Sequence, residues 1–319
     1  MIRHGPLAII LSLVLALASG ACTAQATPSL TPPVPTRPVP TRPALPRPDQ
    51  FDPATVSGIR LEDVPVVPQV NPLMRDVYQA GLKRGNNPHV FAKLGDCMTE
   101  NPYFLTPFAA GQYDLGTYQN LKATIEQFYG YPARGAGWQK DSFATVGLAS
   151  AGGFNVAAPL DATWADPKWC RAGESPLACE YRVSRPSVAI IMFGTNDVNY
   201  TDAATYNFYL RTIISQTLDD DIVPILSTFP TRLENPQKSL LLNQIVVRVA
   251  QDYDVPLINL NRALEALPNH GVNPQDTTHL TTPSDERVDV FSPANLQTGF
   301  TVRNLVTLQA LDAVLRVVR

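Results

Sequence analysis

The chain reads His89-Val90-Phe91-Ala92-Lys93-Leu94-Gly95-Asp96-Cys97-Met98 where an apolar run ends in a small residue, an acid and a thiol. Short, continuous runs of β-branched and apolar residues are typical of strands buried on both faces of a parallel sheet. Cys97 therefore follows a predicted strand at its carboxyl end, the edge at which parallel sheets bind their ligands. This stretch predicts an α/β fold with a candidate nucleophile at the edge of its sheet.

Four more apolar runs of this kind follow, with helical patterns between them. The predicted strands are residues 90–94, 143–149, 188–193, 222–228 and 255–260. Apolar residues at helical spacing predict helices around Tyr206, Leu210, Ile213 and Thr217, around Leu242, Ile245, Val246, Val249 and Tyr253, and around Val302, Leu305, Leu308, Leu311 and Leu315. A further amphipathic segment at residues 72–82 precedes the first strand. This alternation predicts a three-layer α/β sandwich with a central, mostly parallel, five-stranded sheet.

Two further polar segments follow predicted strands. Ala151-Gly152-Gly153-Phe154-Asn155 follows the second strand, and Gly194-Thr195-Asn196-Asp197 follows the third. Because the carboxyl ends of parallel strands share one edge, these segments are expected to meet Cys97 around one crevice. Residues 155–187 are predicted to form an insertion that shapes this crevice, and residues 281–298 a hairpin or lid.

The order of these segments resembles the SGNH (GDSL-type) hydrolases, a family of flavodoxin-like esterases and acylhydrolases. The family's Gly-Asp-Ser motif appears as Gly95-Asp96-Cys97, and its glycine motif as Gly152, with Gly153 as the close alternative. Its Gly-x-Asn-Asp motif is Gly194-Thr195-Asn196-Asp197, and its Asp-x-x-His motif is Asp276-Thr277-Thr278-His279. The resemblance covers about residues 91–319 and implies a flavodoxin-like fold. The departure from the family is Cys97, which replaces the nucleophilic serine.

The resemblance implies a role for each of these residues. Cys97 is the expected nucleophile, His279 the base that takes its proton, and Asp276 the carboxylate that orients the imidazole. The backbone amides of Cys97 and Gly152 and the side-chain amide of Asn196 are the expected oxyanion donors. The four histidines lack metal-ligand spacing, so neither a metal nor another cofactor is expected.

Alternatives stay open at this site. His270 lies in a segment that also resembles the loop of the family's histidine, but His279 is preferred because Asp276 precedes it by three residues. Cys97 beside an imidazolium fits a reactive thiolate, and it also fits a buried, inert cysteine. The resemblance therefore implies an ester hydrolase with a Cys-His-Asp triad, and together with the expected cell-surface location it suggests acylated carbohydrates or small esters as substrates. The alternative is an inactive cell-surface protein of the same fold that binds a glycan or acyl ligand.

Residues 1–22 have the pattern of an export signal. Arg3 precedes an apolar stretch at residues 7–18, and Ser19-Gly20-Ala21-Cys22 resembles a bacterial lipobox whose cysteine receives the lipid. Ser19 departs from that pattern, and ordinary cleavage after Ala24-Gln25-Ala26 is the alternative. Residues 23–50 are a proline-rich linker, and residues 51–319 form the hydrolase-like domain. The expected location is the bacterial cell surface, through a lipid on Cys22, with secretion as the alternative.

Cysteine usage is typical of an exported protein. Cys170 and Cys179 flank a short loop and are predicted to form a disulfide, which leaves Cys97 as the free thiol of the domain. The net charge is −3 and there is no basic patch, so nucleic acid is not an expected partner. The expected partners are a small-molecule or glycan ester and, through the lipid anchor, a membrane.

Overall fold

Four parallel strands form the central sheet of the structure, a computed structural model that describes residues 51–135 and 137–319. The strands lie side by side in the order of their numbering and are β1 (Asn87–Gly95), β2 (Pro186–Met192), β3 (Val223–Ser227) and β4 (Leu257–Ile258). Every residue of β2 and β3 is buried, as expected of strands covered on both faces. The predicted signal segment, the lipidation site at Cys22 and the proline-rich linker lie outside the described residues.

Helices flank this sheet, which confirms the predicted α/β sandwich. Those in the described ranges are α1 (Leu73–Arg84), α2 (Cys97–Glu100), α3 (Lys122–Phe128), α4 (Pro176–Ser184), α5 (Asp197–Tyr200), α6 (Ala203–Asp219), α7 (Pro236–Asp252), α8 (Leu260–Leu264) and α9 (Gly299–Val318). α1 packs against α9, and α6 packs against α7. The apolar positions predicted on α6 and α7 are buried, because they repeat with the helical period and face the core. Within the described ranges, none of these helices combines the length and the apolar character that crossing a bilayer requires.

The predicted count of five strands is wrong by one, because residues 143–149 form turns and irregular chain. A single isolated bridge within the described residues, between Gly95 and Ser150, joins this part of the chain to β1. The segment nevertheless lies where a fifth strand would lie, beside β1 and opposite β2. The order is that of the flavodoxin arrangement, in which the second segment in sequence lies outside the first strand.

Side-chain contacts explain why no regular strand forms there. Ser142 Oγ accepts a hydrogen bond from the Phe91 amide at 2.9 Å, and Lys93 Nζ donates to the Phe143 carbonyl at 2.8 Å. Gly147 approaches β1 so closely that a Cβ on it would lie 2.0 Å from the Lys93 carbonyl oxygen. Side-chain hydrogen bonds and a close glycine therefore cover this edge of β1 in place of a backbone ladder, and apolar periodicity does not reveal such a pattern.

No hairpin forms within residues 281–298, all of which the structure describes. The segment is irregular, contains a short 3₁₀ turn and is anchored by the buried side chains of Val288 and Phe291. A hairpin lies just before it instead, where β5 (Val272–Asn273) pairs antiparallel with β6 (Asp276–Leu280). This hairpin carries the predicted Asp-x-x-His motif on β6.

The predicted insertion at residues 155–187 contains short 3₁₀ turns, a disulfide and α4. Cys170 and Cys179 are joined, with their Cα atoms 5.2 Å apart, which confirms the predicted pairing. The bond ties the loop that precedes α4 to that helix. Cys97 is the free cysteine of the described residues.

Candidate active site

The predicted site residues come from separate segments at one edge of the sheet. Cys97 opens α2 directly after β1, and Asn196 precedes α5 after β2. β6, which carries Asp276 and His279, packs against α2. A Cβ placed on Gly152 would lie 4.0 Å from the Cys97 Cβ, so this glycine borders the thiol.

Gly194 and Asp197 shape the turn after β2. Gly194 has a φ of +140°, and a Cβ there would lie 2.1 Å from the Phe229 ring, so only glycine fits. Asp197 is fully buried and accepts hydrogen bonds from the Val156 amide at 3.0 Å and the Thr201 hydroxyl at 2.8 Å. Burial raises the pKa of Asp197 to about 6. Asp197 therefore ties the glycine segment to the turn after β2, which is a positioning role.

His279 is paired with Asp276 on β6. His279 Nδ1 lies 2.6 Å from Asp276 Oδ2, and this hydrogen bond is the largest of the effects that lower the pKa of Asp276. Because an ionised carboxylate only accepts, Nδ1 carries a hydrogen, and in the neutral imidazole Nε2 is then the acceptor. His270 instead has its Nδ1 3.9 Å from an exposed carboxylate, that of Glu265. The geometry therefore favours His279 as the base, a role that stays a prediction.

The Cys97 thiol is neutral at rest. Burial first, and then the neighbouring Asp96 carboxylate, raise the pKa of Cys97 to about 12. Among the described residues, no hydrogen bond joins Cys97 Sγ to His279. The thiolate that the sequence allowed is therefore not the resting form. A nucleophilic role for Cys97 would therefore require a base that removes the proton as the sulfur attacks.

Two predicted oxyanion donors are already engaged within the protein. The Gly152 amide donates to Glu100 Oε2 at 2.5 Å, and Asn196 Nδ2 donates to the Phe154 carbonyl at 2.8 Å. A backbone amide has a single hydrogen, so Gly152 has none left for a substrate while Glu100 is in place. Asn196 Nδ2 keeps its second hydrogen. A Cβ built on the alternative donor, Gly153, would meet no heavy atom within 4 Å, so Gly152 is the glycine that borders the thiol.

Sequence analysis missed two charged residues here, Glu100 and Arg232. Glu100 lies three residues after Cys97 on α2, so the one-turn spacing of a helix was the available signal. Arg232 follows the carboxyl end of β3, at the same edge of the sheet. Its positive charge lowers the pKa of Cys97 against the larger effect of burial, although the guanidinium is also paired with Glu234. The position of Arg232 shortly after the third strand was the sequence feature that could have identified it as a site residue.

Two buried side chains of opposite charge support the backbone of Cys97. Asp96 caps α2, and its Oδ1 accepts a hydrogen bond from the Met98 amide at 3.0 Å. Arg303 of α9 donates to the Met98 carbonyl at 2.6 Å and to Thr99 Oγ1 at 2.9 Å. Burial raises the pKa of Asp96 and lowers that of Arg303 to about 9, and each charge partly offsets the effect on the other. Arg303 thereby anchors α2 to the C-terminal helix.

One group of described residues has ligand atoms close enough together for a metal ion, namely Cys170, Glu174 and Cys179. Both sulfur atoms of this group form the disulfide, and the Glu174 carboxylate accepts a hydrogen bond from Arg182 at 2.7 Å. These partners occupy the donor atoms, so the group belongs to the disulfide loop and does not form a metal centre.

The raised pKa predicts how Cys97 reacts with iodoacetamide. Only the thiolate attacks this reagent, and well below a pKa of about 12 the thiolate fraction increases with pH throughout the neutral range. We expect the alkylation rate of Cys97, measured by peptide-resolved mass spectrometry, to rise about tenfold per pH unit from roughly pH 7 to pH 10. N-acetylcysteine, the control, should level off near its ordinary pKa of about 8.5. A plateau already present at about pH 7 would instead show a thiolate paired with an imidazolium.

Glu100→Gln is expected to raise kcat/KM for a small ester by about tenfold, a fraction of the 10²–10³ that one oxyanion donor contributes. The change removes a negative charge beside Gly152, a predicted oxyanion donor, and it weakens the hydrogen bond that occupies the Gly152 amide. The assay is initial-rate hydrolysis of 4-nitrophenyl acetate. Glu126→Gln, an exposed glutamate on α3, is the matched control and should leave the rate unchanged. Loss of activity in Glu100→Gln would mean that the carboxylate takes part in the reaction.

The family model described as GDSL-like Lipase/Acylhydrolase family matches residues 94–283, more than half of the chain. No curated protein sequence matches the chain. Among solved structures, a lipase/acylhydrolase from Enterococcus faecalis is 17% identical, with a TM-score of 0.43, covering 69% of this chain and 96% of its own. An acetylxylan esterase from Geobacillus stearothermophilus is 15% identical, with a TM-score of 0.43, and the match covers 71% of this chain and 95% of the esterase. A putative acylhydrolase from Bacteroides fragilis is 14% identical, with a TM-score of 0.42, and the match covers 79% of this chain and 100% of the acylhydrolase.

Proposed function

The chain belongs to the GDSL-like lipase/acylhydrolase family, and from this membership we propose that it hydrolyses esters of carbohydrates or small acyl compounds through Cys97, His279 and Asp276. Ester hydrolysis is the activity that the family supports. One observation carries the choice of residues: the hydrogen-bonded pair of His279 and Asp276 lies on β6, which packs against the helix that Cys97 opens. This arrangement has the order of a nucleophile, a base and an orienting acid.

The first half of the reaction transfers the acyl group to sulfur. Because the thiol is neutral, His279 Nε2 takes the Sγ proton as Sγ attacks the ester carbonyl carbon. Asp276 stabilises the imidazolium that results. The tetrahedral intermediate then expels the alcohol, which receives the proton from His279, and a thioester remains on Cys97. For this step, Cys97 Sγ and His279 Nε2 must come within hydrogen-bond distance of each other. Catalytic hydrogen bonds often reach that distance only when substrate is bound.

The second half of the reaction returns the enzyme to its resting form. His279 takes a proton from water as the water oxygen attacks the thioester carbon. Collapse of this second tetrahedral intermediate releases the carboxylic acid and leaves Cys97 as a thiol, which regains the proton. In both halves, the oxyanion is stabilised by the amides of Cys97 and Gly152 and by Asn196, once Glu100 has left Gly152.

A second candidate function is an inactive protein of the same fold that binds a glycan or acyl ligand. Three observations favour it: the neutral Cys97 thiol, the lack of a hydrogen bond from this thiol to His279 among the described residues, and the Glu100 carboxylate on the Gly152 amide. Each of them opposes acyl transfer in the resting structure. They do not oppose binding.

Intact-mass spectrometry after exposure to 4-nitrophenyl acetate separates these two functions. For the hydrolase, we expect release of 4-nitrophenol together with an acetyl adduct that peptide mapping assigns to Cys97 and that decays with time. Thioester substrates should give the same adduct. If a broad panel of esters and thioesters yields neither adduct nor product, while a glycan or acyl ligand is retained, the binding protein is the correct function.

The protein is further proposed to act outside the cell, held at the bacterial surface by a lipid on Cys22. The disulfide between Cys170 and Cys179 supports an oxidising compartment, where such bonds persist. Partitioning of the expressed protein between detergent and aqueous phases tests the anchor, because Cys22→Ser should move the protein to the aqueous phase. Release of the unaltered protein into the medium with Thr27 at its N-terminus would favour ordinary secretion.

A further inference from the structure

An aromatic pocket of about 460 Å³ lies beside Gly152. It is lined by Trp138, Trp164 and Trp169, which are all three tryptophans of the sequence. Its volume is within the roughly 300–1,000 Å³ of small-molecule sites. None of the catalytic roles assigned above involves these rings.

Arg134 holds two of the rings in place. Its guanidinium carbon lies 4.7 Å from the centroid of the Trp138 ring and 4.8 Å from that of the Trp169 ring. The Arg134 side chain is only 4% exposed, and its Nη2 donates to the Val146 carbonyl at 2.7 Å and lies 3.8 Å from the buried Glu180 carboxylate. Because a buried cation needs such partners, these contacts fix the orientation of both aromatic faces.

The segment that carries Trp169 is held at two further points. The next residue, Cys170, is bonded to Cys179 of α4. Arg182, also on α4, donates to the Trp169 carbonyl at 2.9 Å and to the Glu174 carboxylate at 2.7 Å. This wall of the pocket is therefore formed before any ligand arrives, which lowers the entropic cost of binding.

Trp164 lines the part of the pocket that is formed by Phe154. Trp164 is 60% exposed, and its ring packs edge-on against that of Phe154, with the ring centroids 5.7 Å apart. The Phe154 carbonyl accepts the hydrogen bond from Asn196, so the tryptophan contacts the segment that positions a predicted oxyanion donor. A ligand stacked on Trp164 therefore lies near the segment that holds Asn196.

The pocket also offers hydrogen-bonding groups. Lys140 and Asp166 line it together with Ser150. Ser150 Oγ is buried and has no hydrogen-bond partner among the described residues, a condition that is rare for buried polar atoms. Aromatic faces and polar side chains thus surround the same space.

We propose that this pocket binds the sugar ring of an acylated carbohydrate, an inference that takes its catalytic purpose from the proposed ester hydrolysis. A pyranose presents apolar C–H faces, which stack on indole rings, and hydroxyl groups at its edge, which bond to polar side chains. An acyl chain would instead require aliphatic walls, and Val146 and Leu148 are the largest aliphatic side chains of the lining. Because Gly152 borders both the pocket and Cys97, a sugar held here presents its ester to the thiol.

Intrinsic tryptophan fluorescence reports on this pocket directly, because the sequence has no tryptophan elsewhere. The wild-type protein is titrated with xylobiose, cellobiose and chitobiose, which carry no O-acyl ester for the enzyme to cleave, and separately with octanoate. We expect a saturable change in fluorescence with at least one disaccharide and none with octanoate.

Trp164→Ala is expected to weaken disaccharide binding by about tenfold, as the loss of one stacking face implies. Binding of this variant is measured by isothermal calorimetry, so that the missing fluorophore does not confuse the result. Tyr200→Ala is the matched control, since Tyr200 is 81% exposed and is not a lining residue of the pocket. This control should leave the affinity unchanged.

Binding is measured here without turnover, so the two proposals fail separately. No saturable response to any of the disaccharides, or saturation by octanoate alone, overturns the sugar subsite even if small esters are hydrolysed. An equal loss of affinity in Trp164→Ala and Tyr200→Ala also overturns it. Saccharide binding in a protein that cleaves no ester leaves the subsite in place and overturns the hydrolase instead.

Discussion

Cys97→Ala is expected to lower kcat for ester hydrolysis by about 10⁴–10⁶-fold, because the variant has no atom that can carry the acyl group. The substitution removes one sulfur atom from a half-buried position and leaves the pair of His279 and Asp276 intact. Ligand affinity should therefore change little. The measurement is stopped-flow or initial-rate hydrolysis of 4-nitrophenyl acetate, with intact-mass spectrometry to show that the acetyl adduct is lost.

Cys97→Ser is the matched control for that loss. It restores the hydroxyl group of the family motif at almost the same volume, and His279 is available to take its proton as it is for the thiol. We expect Cys97→Ser to retain or raise esterase activity and to form an oxygen ester in place of the thioester. Unchanged turnover in Cys97→Ala would place the nucleophile elsewhere. An inactive wild type with an active Cys97→Ser would show that the thiol itself blocks the reaction.

His279→Ala is expected to reduce the acylation rate by about 10²–10⁴-fold, the contribution of a positioned general base. The effect should be large because burial and Asp96 keep the Cys97 thiol protonated, with a pKa of about 12, so the reaction depends on a base. Single-turnover acetylation, followed by mass spectrometry, measures this step apart from deacylation.

His270→Ala provides the comparison, because His270 is the other histidine that the sequence left open. It is 46% exposed, and its nearest carboxylate is that of Glu265 rather than Asp276. We expect its acylation rate to stay within about twofold of wild type, as for most surface substitutions. If His270→Ala removes acylation and His279→Ala does not, His270 is the base instead of His279.

The buried strands were predictable because each is covered on both faces. Strands β2 and β3 consist wholly of buried residues, so their sequences are continuous apolar runs with polar residues only at their ends. The same logic placed Cys97 and Asn196 at one edge of the sheet. The prediction of a strand at residues 143–149 was wrong, although this run is also apolar. There the edge of β1 is covered by side-chain hydrogen bonds of Ser142 and Lys93 and by the close approach of Gly147.

The charged residues of the site were harder to predict than its motifs. Arg303 lies outside the apolar stripe that predicted α9, and its partners, the Met98 carbonyl and the Thr99 hydroxyl, become apparent only in three dimensions. Glu100 reads as an ordinary exposed residue on a short helix. Its contact with Gly152 spans two segments that are 52 residues apart, which no local pattern records. Sequence patterns indicate which residues are buried and whether a segment is helical or extended. They do not indicate which carboxylate forms a hydrogen bond with an amide far away in the sequence.

The contact between Arg303 and the Met98 carbonyl joins residues that are 205 positions apart. Ribosomes make the chain from its N-terminus, so the thiol segment emerges long before the helix that anchors it. Until α9 has been made, or has followed the rest of the chain across a membrane, the helix that begins at Cys97 lacks its contact with the Arg303 guanidinium. Contacts between such distant residues carry a large loop-closure entropy and tend to form late in folding. The contacts that hold α2 are thus completed only once α9 has been made, and a product that is terminated before α9 lacks the support beneath its proposed nucleophile.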